Sequence, residues 1–513
     1  MGRLFPGDAG KRRLAHDDSR TKASGRTVKR VSGCRRSKLP SVVSGPARLQ
    51  NCISLPSKTH RSKLMSASYS RYLARFATAA AVSISLSHDS GLASAADAWG
   101  SFRGPEGNGV AAGKHPEAWS MDSNLAWSVE VPGGGWSSPV VAGDKIFVTT
   151  AVAGDGTRPK GFGEGVASMR SHFMGKAPTE PFSFEVHCMS LKDGSLLWKQ
   201  QVVSKKPPHK VHPSNSYATE SPVADGERVY AYFAAVGVVA CLDQAGETLW
   251  QKEVGAYRTS SDFGSGSSLA INDGLVFVQC DNEEKSFLIA LDGKTGEEVW
   301  KVDRSGRTSW SSPIIWKNKR RTELVVCGAG NVTAYEPKTG KSLWTLTGTG
   351  GAFSASPTCD QERIYLGNSG RNSRGPLIAV AAGASGELTL ESIGAEKVVW
   401  IEDAAAPGMC SPVVVDGRLY VLSRGILSCH DAETGERLYR QRLKNASSVT
   451  SSLWAADGKV YALNESGETS VIKSGDEFVQ LPTNETPGLY WSTPSVAGET
   501  LLLRGAKMLH CIR

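Results

Sequence analysis

Three Trp residues, Trp136, Trp310 and Trp491, each stand two positions before a Ser or Thr that recurs along the chain. Rings repeated at one equivalent position can stack on a planar or sugar ligand, or simply plug the space they share. Glu220, beside Thr219 at the same position of another unit, adds a carboxylate at this level. Just upstream lie His209, His212, Asn215 and Tyr217. Two His three apart can hold a metal ion, or can sit as ordinary polar groups in a Pro-flanked loop. In the run Cys280-Asp281-Asn282-Glu283-Glu284-Lys285, the carboxylates Asp281, Glu283 and Glu284 offer hard oxygen ligands suited to Ca²⁺, or form a solvated turn. Two other matches carry no chemistry. Asp262-Phe263-Gly264 lacks the catalytic-loop signature and strand Lys of a kinase, and Gly133-Gly134-Gly135 is not followed by the Gly-Lys-Ser or Gly-Lys-Thr of a phosphate loop.

The elements that position these residues repeat. Ser-Pro or a near variant, an apolar run, an Asp-Gly-like turn and a second apolar run recur from Ser138, Ser221, Ser268, Ser312, Ser356, Ser411, Ser452 and Thr493. The intervals are 83, 47, 44, 44, 55, 41 and 41 residues, so the unit is a little over forty residues long and its first copy is enlarged. Short strands at that period make propeller blades. Late in each unit an acid and a Gly precede an aromatic, as in Asp292-Gly293-Lys294-Thr295-Gly296 before Trp300 and Glu336-Pro337-Lys338-Thr339-Gly340 before Trp344. The Gly closes a tight turn with positive φ, and the recurring aromatic is expected as a wedge between neighbouring blades. The last unit stops at its third strand, Met508 to Ile512, while Leu125 to Val131, with Trp127 in the wedge position, reads as an outer strand lacking its inner three. The expected fold is therefore all-β, an eight-bladed antiparallel β-propeller over 123–513, closed by pairing N-terminal with C-terminal strands so that no edge is left free.

In such blades the second-to-third-strand loops and the connections between blades share one face. The long segments 151–183 and 204–218 put the site on that face around the central channel, whereas 382–396 enlarges the opposite one. Cys188, Cys241, Cys429 and Cys511 fall at third-strand positions where other units carry Ala290 or Ala334, which is a core role.

The formal charge of +9 is concentrated at the N-terminus: residues 1–64 carry +13 and the chain from Asp97 onward −5, so the folded part gives no reason to expect nucleic acid as a partner. Residues 1–64 read as a disordered basic extension of the gene model. From Met65, two Arg, an apolar stretch too short to span a membrane and small residues up to Ala96 follow the order of a signal peptide over 65–96. Export to the periplasm or beyond is expected, with 97–122 as an extended segment, no transmembrane span, no Cys for a lipid anchor, and a monomer.

Turns of the type running from Ala290 to Trp300 and from Ala334 to Trp344 resemble the repeat of pyrroloquinoline-quinone (PQQ) dehydrogenase propellers and of related non-enzymatic, PQQ-like propellers. Trp99 to Gly109 with Gly135-Trp136-Ser137-Ser138-Pro139 resembles secreted PQQ-like repeat proteins of planctomycete bacteria. The dehydrogenase resemblance implies PQQ over the Trp cluster, with Trp136, Glu220, Trp310 and Trp491 as its binding residues, Ca²⁺ beside it and alcohols or sugars as substrates. The adjacent Cys pair of the quinoprotein alcohol dehydrogenases is missing. The expectation is therefore an exported binding or interaction module for a small ligand or an envelope protein. The alternatives are a PQQ-dependent oxidoreductase and an envelope sensor or assembly partner similar to the outer-membrane barrel-assembly propeller.

Overall fold

The computed structural model describes residues 98–161, 177–369, 374–394, 396–444, 446 and 448–513. The expected basic extension and signal peptide lie outside the described residues. Among the described residues the strands form eight sheets, each built on a four-stranded antiparallel blade, and the fold is the eight-bladed propeller that the repeat predicts. In blade 3 the strands, from the axis outward, are Ala270–Asn272, Leu275–Cys280, Phe287–Asp292 and Glu298–Asp303. The middle two are continuously buried because a neighbouring blade covers each face. The outer strand instead alternates between half-buried and exposed positions, with Trp300 on its inward side.

The eighth blade closes as expected. Leu125–Glu130 pairs antiparallel with Met508–Ile512, placing Trp127 opposite Cys511 and Val129 opposite Leu509. This strand thereby completes the blade whose three inner strands are the last of the chain.

Two features explain why the repeat has the residues it has. The recurring Ser forms a chain of hydrogen bonds round the axis: the backbone N–H of Ser138 donates to Ser221 Oγ at 2.9 Å, Ser221 to Ser268 at 3.0 Å, Ser268 to Ser312 at 2.9 Å, and so on to Ser452 and Thr493 at 2.9 Å. The hydroxyl at the start of each inner strand satisfies its neighbour's buried N–H. Among the described residues Ser138 Oγ has no partner, so the ring is interrupted between blades 8 and 1. There the buried guanidinium of Arg504 takes over, donating to Ser137 O and Thr149 O, each at 2.9 Å.

The wedge is a Trp laid on the Gly of the next blade's turn. A Cβ on Gly194, Gly246, Gly296, Gly340 or Gly435 would lie 2.6 to 2.7 Å from the ring of Trp127, Trp198, Trp250, Trp300 or Trp400 respectively. The indole N–H then donates across the blade boundary, from Trp250 to Gly293 O at 3.0 Å and from Trp300 to Pro337 O at 2.9 Å. The third-strand residue opposite each of these Trp is small: Cys188, Cys241, Ala290 and Cys511 face Trp198, Trp250, Trp300 and Trp127. All eight described Cys are buried and unpaired.

Three expectations need correction. The first blade's second and third strands are longer than expected, Lys145–Ala153 and Phe182–Ser190, so the loop between them is shorter; its residues 162–176 lie outside the described set. The segment after Ala381 is not only a loop, because Gly386–Leu388 adds a parallel fifth strand to the outer edge of blade 4 and buries Leu388. The segment after residue 97 is an axial plug rather than an extended lead-in. Trp99 bridges to Val141 of blade 1, Gly100 O accepts Ala224 N–H of blade 2, and Gly109 O accepts Ala455 N–H of blade 7. Arg103 of this segment is fully buried, donating to Pro357 O of blade 5 at 2.9 Å and to Pro412 O of blade 6. Burial without a carboxylate partner pulls its pKa down to about 10. The segment thus bonds to blades 1, 2, 5, 6 and 7 across the central channel.

Candidate functional site

The connection between the outer strand of blade 1 and the inner strand of blade 2 carries five of the candidate residues. Asn215 organises it: its Oδ1 accepts Tyr217 N–H at 2.9 Å, holding Tyr217 at φ 62°, and its Nδ2 donates to Ser265 O at 3.1 Å. An Asn side chain bonding the backbone two residues on is what permits a left-handed Tyr here.

The two His residues separate. His212 is 4% exposed, its ring 4.9 Å from Phe263 and its Nδ1 bonded to Ser214 Oγ at 2.7 Å. His209 lies at the surface end, where it lines both a small cavity and an adjoining open basin. The Asp262-Phe263-Gly264 segment supports this loop: Phe263 stands between His212 and Trp310, and Gly264 O accepts the Trp310 indole N–H at 2.7 Å.

The three Trp residues divide in the same way. Trp136 and Trp491 stack on each other with ring centroids 5.8 Å apart and planes 20° apart. Trp136 is 4% exposed, and its indole N–H donates to Ser214 O at 2.6 Å. Trp491 donates to Glu465 Oε1 at 2.5 Å. Among the described residues no ring contact joins Trp310 to this pair; its ring packs edge-on with Phe263.

The acidic run does not gather into one site. Asp281 forms a two-pronged ion pair with Arg304, at 2.8 and 3.2 Å, with both side chains buried. Burial opposes the charge on Arg304, but Asp281 and the Tyr335 hydroxyl hold its pKa above the ordinary value. Glu283 accepts Thr308 Oγ1 at 2.7 Å and pairs with Arg307; these contacts overcome partial burial and keep its carboxyl below the usual range. Glu284 accepts the Arg258 backbone N–H at 2.8 Å. The expected shared Ca²⁺ site at Asp281, Glu283 and Glu284 is thus replaced by three separate pairings. Among the described residues no group of three or more His, Cys, Asp or Glu converges as metal ligands.

What the fold does assemble is a cavity of about 40 Å³ between blades 2 and 3, lined by Asn215, Tyr217, Glu220, Tyr232, Gln279 and Asp281, among others. Glu220 is 2% exposed, and burial raises its pKa to about 7 against the weaker opposing effect of hydrogen bonds. Above it lies the open basin, about 680 Å³, walled by Arg258, Glu283, Glu284 and Arg307. Gln279 and Ser267 escaped the sequence reading. The available signal for Gln279 was a lone amide in the apolar strand Leu275–Cys280; Ser267 gave none.

A tricyclic quinone needs a slot of several hundred Å³ with an aromatic face to lie on. The cavity holding Glu220 is far too small, among the described residues the basin presents no Trp, Tyr or Phe, and Trp136 is buried against Trp491. These residues do not fit PQQ.

Comparison with known proteins places this geometry in a family. A family model described as "Outer membrane protein assembly factor BamB" matches residues 183–391 and 384–477. Subunit 1 of methanol dehydrogenase (cytochrome c) is 29% identical over 153 residues in Methylobacterium organophilum, covering 25% of this chain and 23% of that one. In Methylorubrum extorquens it is 30% identical over 133 residues, covering 21% and 20%. The match thus spans less than a quarter of the length of these curated relatives. Among solved structures, BamB from Moraxella catarrhalis superposes with a TM-score of 0.51 at 13% identity, over 75% of this chain and 98% of its own. A europium-containing methanol dehydrogenase gives 0.52 at 11% identity, over 80% and 89%. At such identities the likeness is one of fold. The repeat, the closed ring of eight blades and the family match together show that the chain belongs to the PQQ_2 family, described as outer membrane protein assembly factor BamB, and is a PQQ-like repeat β-propeller.

Proposed function

We propose that this protein is an exported, non-catalytic binding or interaction module whose binding face is the rim over blades 1 to 3. The observation that carries this reading is the convergence of Asn215, Tyr217, Glu220 and Asp281 on a small polar cavity beneath a charged, open basin. Such a site accepts a polar group from a ligand or protein and offers no flat aromatic slot for a quinone. The plug around Arg103 favours the same rim by filling the channel from the other side. Trp136 and Trp491 then serve to close the axis, and Trp310 to buttress the loop through Gly264. Export rests on the signal-peptide order of residues 65–96.

The competing reading is a PQQ-dependent oxidoreductase with Ca²⁺, acting on alcohols or sugars, and it draws on the methanol dehydrogenase likeness. A third, an envelope sensor or assembly partner, draws on the BamB likeness and shares the binding face proposed here. Calorimetry of the protein with PQQ and Ca²⁺, followed by dye-reduction assays with alcohols and aldoses, decides between module and enzyme. No binding heat and no turnover are expected. Binding that is lost in Trp136→Ala or Trp310→Ala, with turnover in the parent, would overturn the proposal.

A further inference from the structure

Among the described residues, three buried oxygens lining the small cavity find no hydrogen-bond partner: Glu220 Oε2, Gln279 Oε1 and Ser267 Oγ. Their residues are only 2 to 3% exposed. The orientation of the Gln279 amide is fixed by its surroundings, because Nε2 donates to Asp281 Oδ2 at 2.8 Å and to Cys327 O at 2.9 Å. A flipped amide would set its oxygen against a carboxylate and a carbonyl, so Oε1 remains an acceptor without a donor. Burying such groups unsatisfied is costly. Charge points the same way. Asp281 is compensated by Arg304, and Lys210 lies 3.8 Å from Asp262, which among the described residues leaves the Glu220 carboxylate of the cavity without an ion-pair partner.

We propose that this cavity receives a primary ammonium group, the end of an alkylamine or lysine-like ligand that reaches it from the basin and gives its three N–H groups to Glu220 Oε2, Gln279 Oε1 and Ser267 Oγ. The fit is one of number, charge and size. An ammonium has three donors for three oxygens and one positive charge for one carboxylate. About 40 Å³ accommodates a small head group, while His209 and Thr259, which line both spaces, mark the route outward. A divalent metal would call for more carboxylates than this site offers. A water molecule has only two protons to donate.

This inference rests on the reading of the rim as the binding face. Its test is separate from the PQQ titration, so that failure here removes the ligand class and leaves the module reading to that titration. The full-length protein is titrated calorimetrically with methylammonium chloride in an amine-free sodium phosphate buffer from pH 6 to 8, where the probe stays protonated. Tetramethylammonium and potassium chlorides serve as controls of equal ionic strength. Saturable binding of methylammonium alone is expected, weakening about tenfold from pH 8 to pH 6 as Glu220, its pKa raised to about 7 by burial, takes up its proton. Of the other groups facing Glu220, burial raises the Tyr232 and Tyr257 hydroxyls, and it pushes the Cys280 thiol up to about 11, beyond this range. Asp281 is ion-paired with Arg304, and Lys210 lies 3.8 Å from Asp262. His209→Gln, which removes the imidazole at the mouth, is expected to keep the tenfold change. Glu220→Gln is expected to abolish binding, and Gln279→Leu to weaken it at least fivefold. Equal binding of tetramethylammonium, a flat pH profile, or full binding by Glu220→Gln would overturn the proposal. So would no binding to the parent protein at pH 8, which would mean that the cavity holds water only. Should Glu220→Gln fail to fold, the pH profile of the parent still decides.

Discussion

Replacing Glu220 by Gln keeps the shape of the side chain and removes its charge, so it isolates what burying that charge costs. The carboxyl is fully buried, and its pKa moves from an ordinary 4.5 to about 7. At about 1.4 kcal/mol per tenfold change in proton affinity, this amounts to about 3 kcal/mol. The sign follows from which state holds the proton more tightly. The folded protein keeps the proton to higher pH than the unfolded chain, so the stabilisation is complete below about pH 4.5 and is lost as pH rises through about 7. The parent protein should therefore lose about 2–3 kcal/mol between pH 5 and pH 8 that Glu220→Gln retains, whatever constant offset the substitution introduces. Urea unfolding followed by Trp fluorescence at several pH values, in buffers free of amines, measures the difference directly. Parallel stability profiles for the two proteins would refute the reasoning. They would mean that Glu220 is solvated or paired in the folded state and that the orphaned oxygens of the cavity are not orphaned in solution. Adding methylammonium should shrink the gap at pH 8, because the ligand stabilises the ionised form.

The Asp281–Arg304 pair has both side chains buried, so Asp281→Ala leaves a guanidinium without its counter-charge and should cost about 3–5 kcal/mol by urea unfolding. Removing both charges with Asp281→Leu and Arg304→Leu together should cost less than Asp281→Ala alone. Trp127→Ala should cost about 3 kcal/mol, since it removes the ring lying on Gly194 and the indole bond to Leu191 O at 3.2 Å. Hydrogen exchange checks the location of the damage: Leu125–Glu130 and Met508–Ile512 should lose amide protection before any other blade, and uniform loss would count against closure by this strand pair.

The architecture was legible in the chain because a propeller is written in repeats. Each blade buries the same faces, so the same residues recur: the Ser that satisfies a neighbour's N–H, the Gly that must lack a Cβ where a Trp lies on it, and the small third-strand residue opposite that Trp. The closing strand could be read from Trp127 and the truncated last unit for the same reason. Departures from the repeat were not legible. Gly386–Leu388 becomes a fifth strand of blade 4, and Arg103 becomes an axial plug, through contacts with residues far away in sequence that no local pattern announces. The site lies between these extremes. Glu220, Asn215, Tyr217 and Asp281 were recognisable as polar groups on the loop-rich rim, and the fold does bring them together. Yet the equivalent Trp136, Trp310 and Trp491 do not form one platform: Trp136 and Trp491 belong to the neighbouring blades 1 and 8 and stack, whereas Trp310 belongs to blade 4 and packs against Phe263. Sequence by itself determined the number of blades, their closure and the rim that carries the long loops, since these follow from short-range patterns of burial and turn geometry. Only the tertiary structure decided that Asp281 is neutralised by Arg304 while Glu220 is not, because compensation of a buried charge depends on which groups from separate strands come within a few ångströms of it.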